Sequence, residues 1–279
     1  MSAASDAGGP PRRLALLAAV AVPLAAVALA LVTWLGWLAW SGRFREPVPG
    51  AAAGTVIAAG ERPFDRGELA SYRVTWRVGS GDGMTAGRAA FDASGGSGSC
   101  YFALDVAAAS WAAALYDVRG RIESWTGADL LPSRQEYHLR EGGHATDRTT
   151  RFDWASRTFT VGDGEPRPLP PGARDGLSAW FHVRTLPLAV GYRARLPVIE
   201  AGRTYDVSVS VDRMERIRIG RGDSEAFRLA ILVAGAPDRR EVARAVAWVS
   251  ADARRVPLAV DLEASLGSFR VELEAYQRR

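Results

Sequence analysis

From Leu69 to Val78 the chain reads LASYRVTWRV. Tyr72, Val74, Trp76 and Val78 fall on one side of an extended backbone, and Ser71, Arg73, Thr75 and Arg77 on the other. A period of two with one apolar side predicts a half-buried antiparallel strand. The pattern recurs at Arg88–Ala93, Cys100–Ala107, Val118–Trp125, Ser133–Glu141, Thr146–Trp154 and Thr158–Val161. It resumes at Tyr192–Ile199, Thr204–Ile219 (expected to be bent or bulged), Ala226–Ala234, Val242–Ser250, Val256–Ala264 and Ser268–Tyr276. Turn-forming stretches such as GSGDGMTAG, SGGSGS, ADARR and ASLGS separate these runs, and EGGHA fits a hairpin turn. Strands at this spacing, without alternating helices, predict one large curved antiparallel sheet or an incomplete barrel. Ser110–Leu115 fits either a strand or a short helical turn. GDGEPRPLPPGAR cannot be a central strand, and Pro257 requires an edge or a bulge, because proline has no N–H to give to a ladder.

One stretch breaks the alternation. DGLSAWFHVRTLPLAVG, from Asp175 to Gly191, has helical spacing at Leu177, Trp180, Phe181 and Arg184. Asp175 is a good N-cap, and Pro187 stops the helix. The expectation is one short helix of about ten residues on the concave face of the sheet. Asp175, Ser178 and His182 are the residue types of a hydrolase triad, with Ser178 and His182 on one helical face. No G-x-S-x-G accompanies them, and Asp175 already has a capping role. The structural reading is preferred, and no catalytic residue is assigned.

The N-terminus follows a different pattern. Leu14 to Trp40 contains no charged residue and is long enough to cross a bilayer as a helix. Trp34, Trp37 and Trp40 cluster at its far end, where an interfacial aromatic belt belongs. The expected organisation is a cytoplasmic tail over residues 1–13, a transmembrane anchor over 14–40, a Gly/Ala/Pro-rich tether over 41–63 and a periplasmic β domain over 64–279. The alternative is a cleaved signal peptide, for which Ala28-Leu29-Ala30 has the small-x-small form, leaving a free periplasmic protein.

Composition narrows the chemistry. The 279 residues are 48% hydrophobic and 24% charged, the balance of a folded chain with a substantial core. All 35 basic residues are arginine, and there is no asparagine. Those arginines are dispersed among Asp and Glu, so the net charge of +4 reads as a mixed surface and not as a nucleic-acid stripe. Cys100 is the sole cysteine, which excludes an internal disulfide and a cysteine-based zinc site. His138, His144 and His182 match no metal motif, and no metal or cofactor is expected. The glycines of Gly79–Gly83 feed a strand and miss the dinucleotide spacing. Arg221-Gly222-Asp223 is expected by chance in such a chain.

Three segments together resemble the exported bacterial family known as domain of unknown function 3108. They are FDRGELASYRVTWRVGSGDGMTAGRA near the start, DGLSAWFHVRTLPLAVG in the middle and VSADARRVPLAV near the end. The resemblance spans Phe64 to Tyr276. It implies an envelope protein with a mostly antiparallel β domain and supplies no catalytic residues. It also implies a removable signal peptide, from which the long Trp-ended span departs. An open sheet leaves an apolar concave face that needs a cover. The first reading is therefore an envelope module binding an apolar ligand, a lipid or a partner segment. Tyr72, Trp76, Phe102 and Trp248 are its expected walls, and Trp180 and Phe181 its lid. The second is a structural or protein-interaction module, and the third a hydrolase built on Asp175, Ser178 or His182.

Overall fold

The computed structural model describes residues 62–279, apart from 80, 81, 97, 236–240, 265 and 266. The expected anchor over 14–40 lies outside the described residues. No described helix is long and apolar enough to cross a membrane.

Fourteen strands form one antiparallel sheet among these residues. The first eight are β1 (Glu68–Arg77), β2 (Met84–Gly95), β3 (Ser99–Ala108), β4 (Val118–Gly127), β5 (Pro132–Glu141), β6 (His144–Asp153), β7 (Thr158–Val161) and β8 (Arg167–Pro168). They meander outward from β1 to one edge. The chain then crosses to the opposite edge and meanders back through β9 (Arg193–Glu200), β10 (Arg203–Ile219), β11 (Gly222–Gly235), β12 (Glu241–Ser250), β13 (Pro257–Ala264) and β14 (Gly267–Arg278). β14 pairs with β1, so the first and last strands are central and β8 and β9 are the edges. Every neighbour except β1–β14 is also a neighbour in sequence, which is why local alternation and turn signals foretell most of the sheet.

The turns follow from local chemistry. Between β5 and β6, Gly142 and Gly143 both have positive φ, at 53° and 90°, as a two-residue hairpin turn with matching twist requires. A Cβ on Gly142 would also lie 2.1 Å from the Tyr116 ring. The proline-rich loop yields only the two-residue edge strand β8. Pro257 falls where the β12–β13 register shifts, the bulge that its missing N–H calls for.

Among the described residues two helices interrupt the strands, α1 (Ser110–Leu115) and α2 (Gly176–Thr185). α1 settles the ambiguous segment as a helical turn. α2 lies on the chain's crossing from β8 to β9 and has the expected length and cap. It touches β3, β4 and β9. Phe181 also stacks on Phe102 of β3 at 4.0 Å and meets Phe91 of β2 edge-on at 6.3 Å. One short helix contacting both halves of the sheet means that the sheet curls around it.

The two sheet edges do not pair with each other as strands. Instead, Arg174 N–H donates to the Pro197 carbonyl and Ile199 N–H to the Arg174 carbonyl, a single parallel bridge onto β9. Arg167 Nη1 donates to the Gly202 carbonyl at 2.7 Å. A small apolar cluster of Phe152, Phe159, Leu169, Ala173 and Ile199 fills the seam. The architecture is a large antiparallel sheet, curled but not closed by strand pairing.

Candidate functional site

The inward face of the sheet is occupied by protein. Leu177, Phe181 and Val183 of α2 are buried against Tyr72, Phe91 and Phe102 in the main core. Phe64, just ahead of β1, meets Phe102 and Phe181 edge-on at 5.4 and 5.1 Å. The expected wall residues separate accordingly. Tyr72 is core, and its hydroxyl donates to the Pro257 carbonyl at 3.0 Å. Phe102 and Phe181 pack on each other, and Trp180 is half-buried beside them. Trp76 is half-buried and stacks between Trp111 and Phe269, each at 6.4 Å.

Trp248 corrects the expectation. Its neighbours Ala247 and Val249 point into the core, so Trp248 points to the outer face. There its indole N–H donates to Glu215 at 2.6 Å, and the guanidinium of Arg270 lies 5.3 Å from its ring. It is no part of an inner wall.

The two ends of α2 are fixed by different chemistry. At the C-terminal end, Arg184 is 1% exposed and makes a bidentate pair with Glu68, itself 2% exposed. Its remaining donors go to the carbonyls of Arg255 at 2.8 Å and Arg254 at 3.0 Å. The Phe64 and Phe181 rings flank it at 5.4 and 5.1 Å. Tyr276 donates to Glu68 at 3.0 Å, and burial together with that carboxylate pushes the Tyr276 phenol up to about 12. Arg255 adopts a left-handed φ of 48°, in the turn whose carbonyls receive Arg184.

At the N-terminal end sit two fully buried carboxyl groups. Asp175 accepts from Ser178 N–H at 2.9 Å and from the Ser124 hydroxyl at 2.6 Å. Ser178 completes a capping box by accepting from Asp175 N–H at 3.1 Å. Glu200, at the end of β9, accepts from Gly176 N–H at 3.1 Å, Ala201 N–H at 3.2 Å and the Gln135 amide at 3.4 Å. Burial raises the pKa of both acids, that of Glu200 the further.

This geometry gives no hydrolase triad. Ser178 is fully buried, and its hydroxyl bonds to the Asp175 main chain. His182 is pulled down to about 4 by burial and by the Arg174 guanidinium, and it has no hydrogen bond to Ser178.

On the outer face Glu123, Glu136 and His138 bring three potential ligand atoms within 4.8 Å of one another. Glu123 already binds Tyr101 and Arg121, and His138 binds Asp147 at 2.8 Å. This is a cross-strand charge network.

The open space lies elsewhere. A cleft of about 600 Å³ lies between the β10–β11 hairpin, the β12–β13 turn and the last part of β14. Met214, Val256, Leu258 and Leu273 give it apolar walls, and Arg254 and Tyr276 join it to the Glu68–Arg184 pair. Sequence reasoning missed these residues. Arg254 and Tyr276 looked like ordinary turn and strand residues, and Met214 lies beyond the register shift in β10, whose position alternation does not fix.

Comparison with known proteins agrees with this architecture. A β-barrel-like protein of the domain of unknown function DUF1849 from Brucella abortus superposes with a TM-score of 0.56 and 13% identity, covering 76% of this chain and 98% of that one. A DUF1089 family protein from Pseudomonas aeruginosa covers 68% of this chain and 95% of its own at 16% identity, but its TM-score of 0.37 bears no weight on the fold. No curated protein matches the chain. The family described as protein of unknown function (DUF3108) matches residues 71–274, nearly all of the sheet, and the chain belongs to that family.

Proposed function

We propose that this domain is a binding module of the cell envelope, held at the membrane by Leu14–Trp40, and that it takes an amphiphile in the cleft beside Met214. The carrying observation is the cleft itself. Its volume is in the range of small-molecule sites, and its walls combine Met214, Val256, Leu258 and Leu273 with the polar groups of Arg254 and Tyr276. An apolar chain fits the former and a polar end group the latter. The inner face, already filled by Phe181 and Leu177, supports a ligand at the mouth of the sheet in preference to one within it.

That same filled core favours the second reading, a protein-interaction module. One experiment separates the two. A photo-crosslinking amino acid is placed at Met214, 47% exposed at the rim, in the full chain in cells. Position Arg119 on β4 serves as the control. Lipid adducts at 214 but not at 119 support the amphiphile reading. Adducts to protein alone favour the interaction module, and the absence of any adduct at 214 removes the cleft from consideration.

A further inference from the structure

Glu200 is 1% exposed and makes no ion pair among the described residues. Its surroundings are polar without being cationic. From α2 come the Gly176 N–H and, one residue earlier, the carboxyl of Asp175. From β5 come Gln135 and Tyr137, and from β4 comes Ser124, already committed to Asp175. From β10 comes the Tyr205 phenol, whose own partner is Arg203. Arg174 is coupled to Asp175 and acts on His182, and neither Arg174 nor His182 acts on Glu200.

Gln135 carries the argument. It is wholly buried and donates to Tyr137 at 3.2 Å and to Glu200 at 3.4 Å, yet its amide oxygen has no partner. Thr150, directly opposite it on β6, is 1% exposed and has an unpartnered hydroxyl oxygen. A buried acceptor without a donor costs on the order of 1–3 kcal/mol, and a buried charge without a partner costs more. One proton on Glu200 removes the larger cost, the buried charge. With the Gln135 amide turned end for end, so that its oxygen stands where the nitrogen faces Glu200 and the Tyr137 hydroxyl, that proton also has an acceptor.

We propose that Glu200 is held as a neutral carboxylic acid that donates its proton to the Gln135 amide oxygen, and that this makes the docking of the α2 N-terminus a proton-operated catch. Loss of the proton to solvent leaves a buried carboxylate whose remaining partners are N–H groups. Opening the first turn of α2 then lets water reach it. The catch stands independently of any ligand in the cleft.

The direction follows from linkage. The docked state binds the Glu200 proton more tightly than the opened state does. Docking is therefore strongest below the ordinary carboxylate range and weakens as pH rises through it toward the raised folded value.

Two measurements on the full chain in an ester-free detergent test this. In the difference infrared spectrum at neutral pH, wild type minus Glu200→Gln should lose a carboxylic acid carbonyl band. Loss of carboxylate bands instead overturns the proposal. If Glu200→Gln does not fold, Gln135→Leu keeps the acid and removes its acceptor. The acid band should then move to the position of an unbonded acid, and an unmoved band overturns the proposal. Hydrogen exchange of the amides at 176–179, compared with Glu200→Gln at each pH so that intrinsic exchange cancels, tests the catch. Wild-type protection should fall about tenfold per pH unit between the ordinary and the raised value, and the variant's should not. Parallel pH profiles overturn the catch.

Discussion

The two ends of α2 solve the same problem, anchoring a plug inside a curled sheet, with opposite electrostatics. The C-terminal end buries a complete ion pair. Arg184 and Glu68 cancel each other's charge, and two carbonyls, a phenol and two aromatic faces take up what remains. The N-terminal end buries two acids, Asp175 and Glu200, whose hydrogen bonds come from neutral N–H and hydroxyl donors and not from a guanidinium. One end is fixed so long as both partners are present. The other answers to protons. The helix is therefore hinged chemically at its C-terminus and gated at its N-terminus.

The largest effect should come from breaking the hinge. Arg184→Met removes the cation and leaves Glu68 buried without its partner, at a cost of about 3–5 kcal/mol. Urea denaturation should show the loss as a lower midpoint with little change in slope. Combining it with Glu68→Gln should recover part of the loss, because the stranded charge is then gone. A double mutant no more stable than Arg184→Met alone would show that packing on Phe64 and Phe181, and not charge balance, dominates this end.

Next comes the cap. Asp175→Ala removes the N-cap acceptor and strands the Ser124 hydroxyl, for a combined cost of about 2 kcal/mol by the same titration. Asp175→Asn keeps a capping oxygen and should cost less than half as much. Equal losses would place the effect in the buried charge and so blur the contrast between the two ends.

Much of this was legible in the sequence. Alternation and turn residues marked the strands because nearly every strand pairs with its neighbour in sequence. Asp175 and Pro187 bounded α2 because capping and termination are local chemistry. The hinge was not legible, since Glu68 and Arg184 are 116 positions apart and a lone Glu at a strand start has no local signature. Glu200 was hidden for the same reason: it ends β9 like any solvated acid, and only the fold brings Gln135 to it. Trp248 was misplaced because β12 has apolar residues on both sides. Ala245, Ala247 and Val249 alternate with Val246 and Trp248, and aromatic size pointed to the wrong set.

The smallest effect concerns His182, which sharpens the comparison from the acid side. Burial and the nearby Arg174 guanidinium lower its pKa to about 4, against about 6.5 in an unfolded chain. The unfolded state therefore binds the proton first. The stability tied to the neutral ring is complete above about 6.5 and drains away as pH falls toward 4. With its partial exposure screening the effect, roughly 1 kcal/mol is expected. His182→Gln should flatten the acid limb of a stability–pH profile and leave the limb tied to Glu200 unchanged. Those two limbs run in opposite directions, so docking of α2 should be tightest where neither group is charged. A profile in which His182→Gln also alters the alkaline limb would mean that the two titrations act as one, and the alkaline limb could no longer be assigned to Glu200 alone.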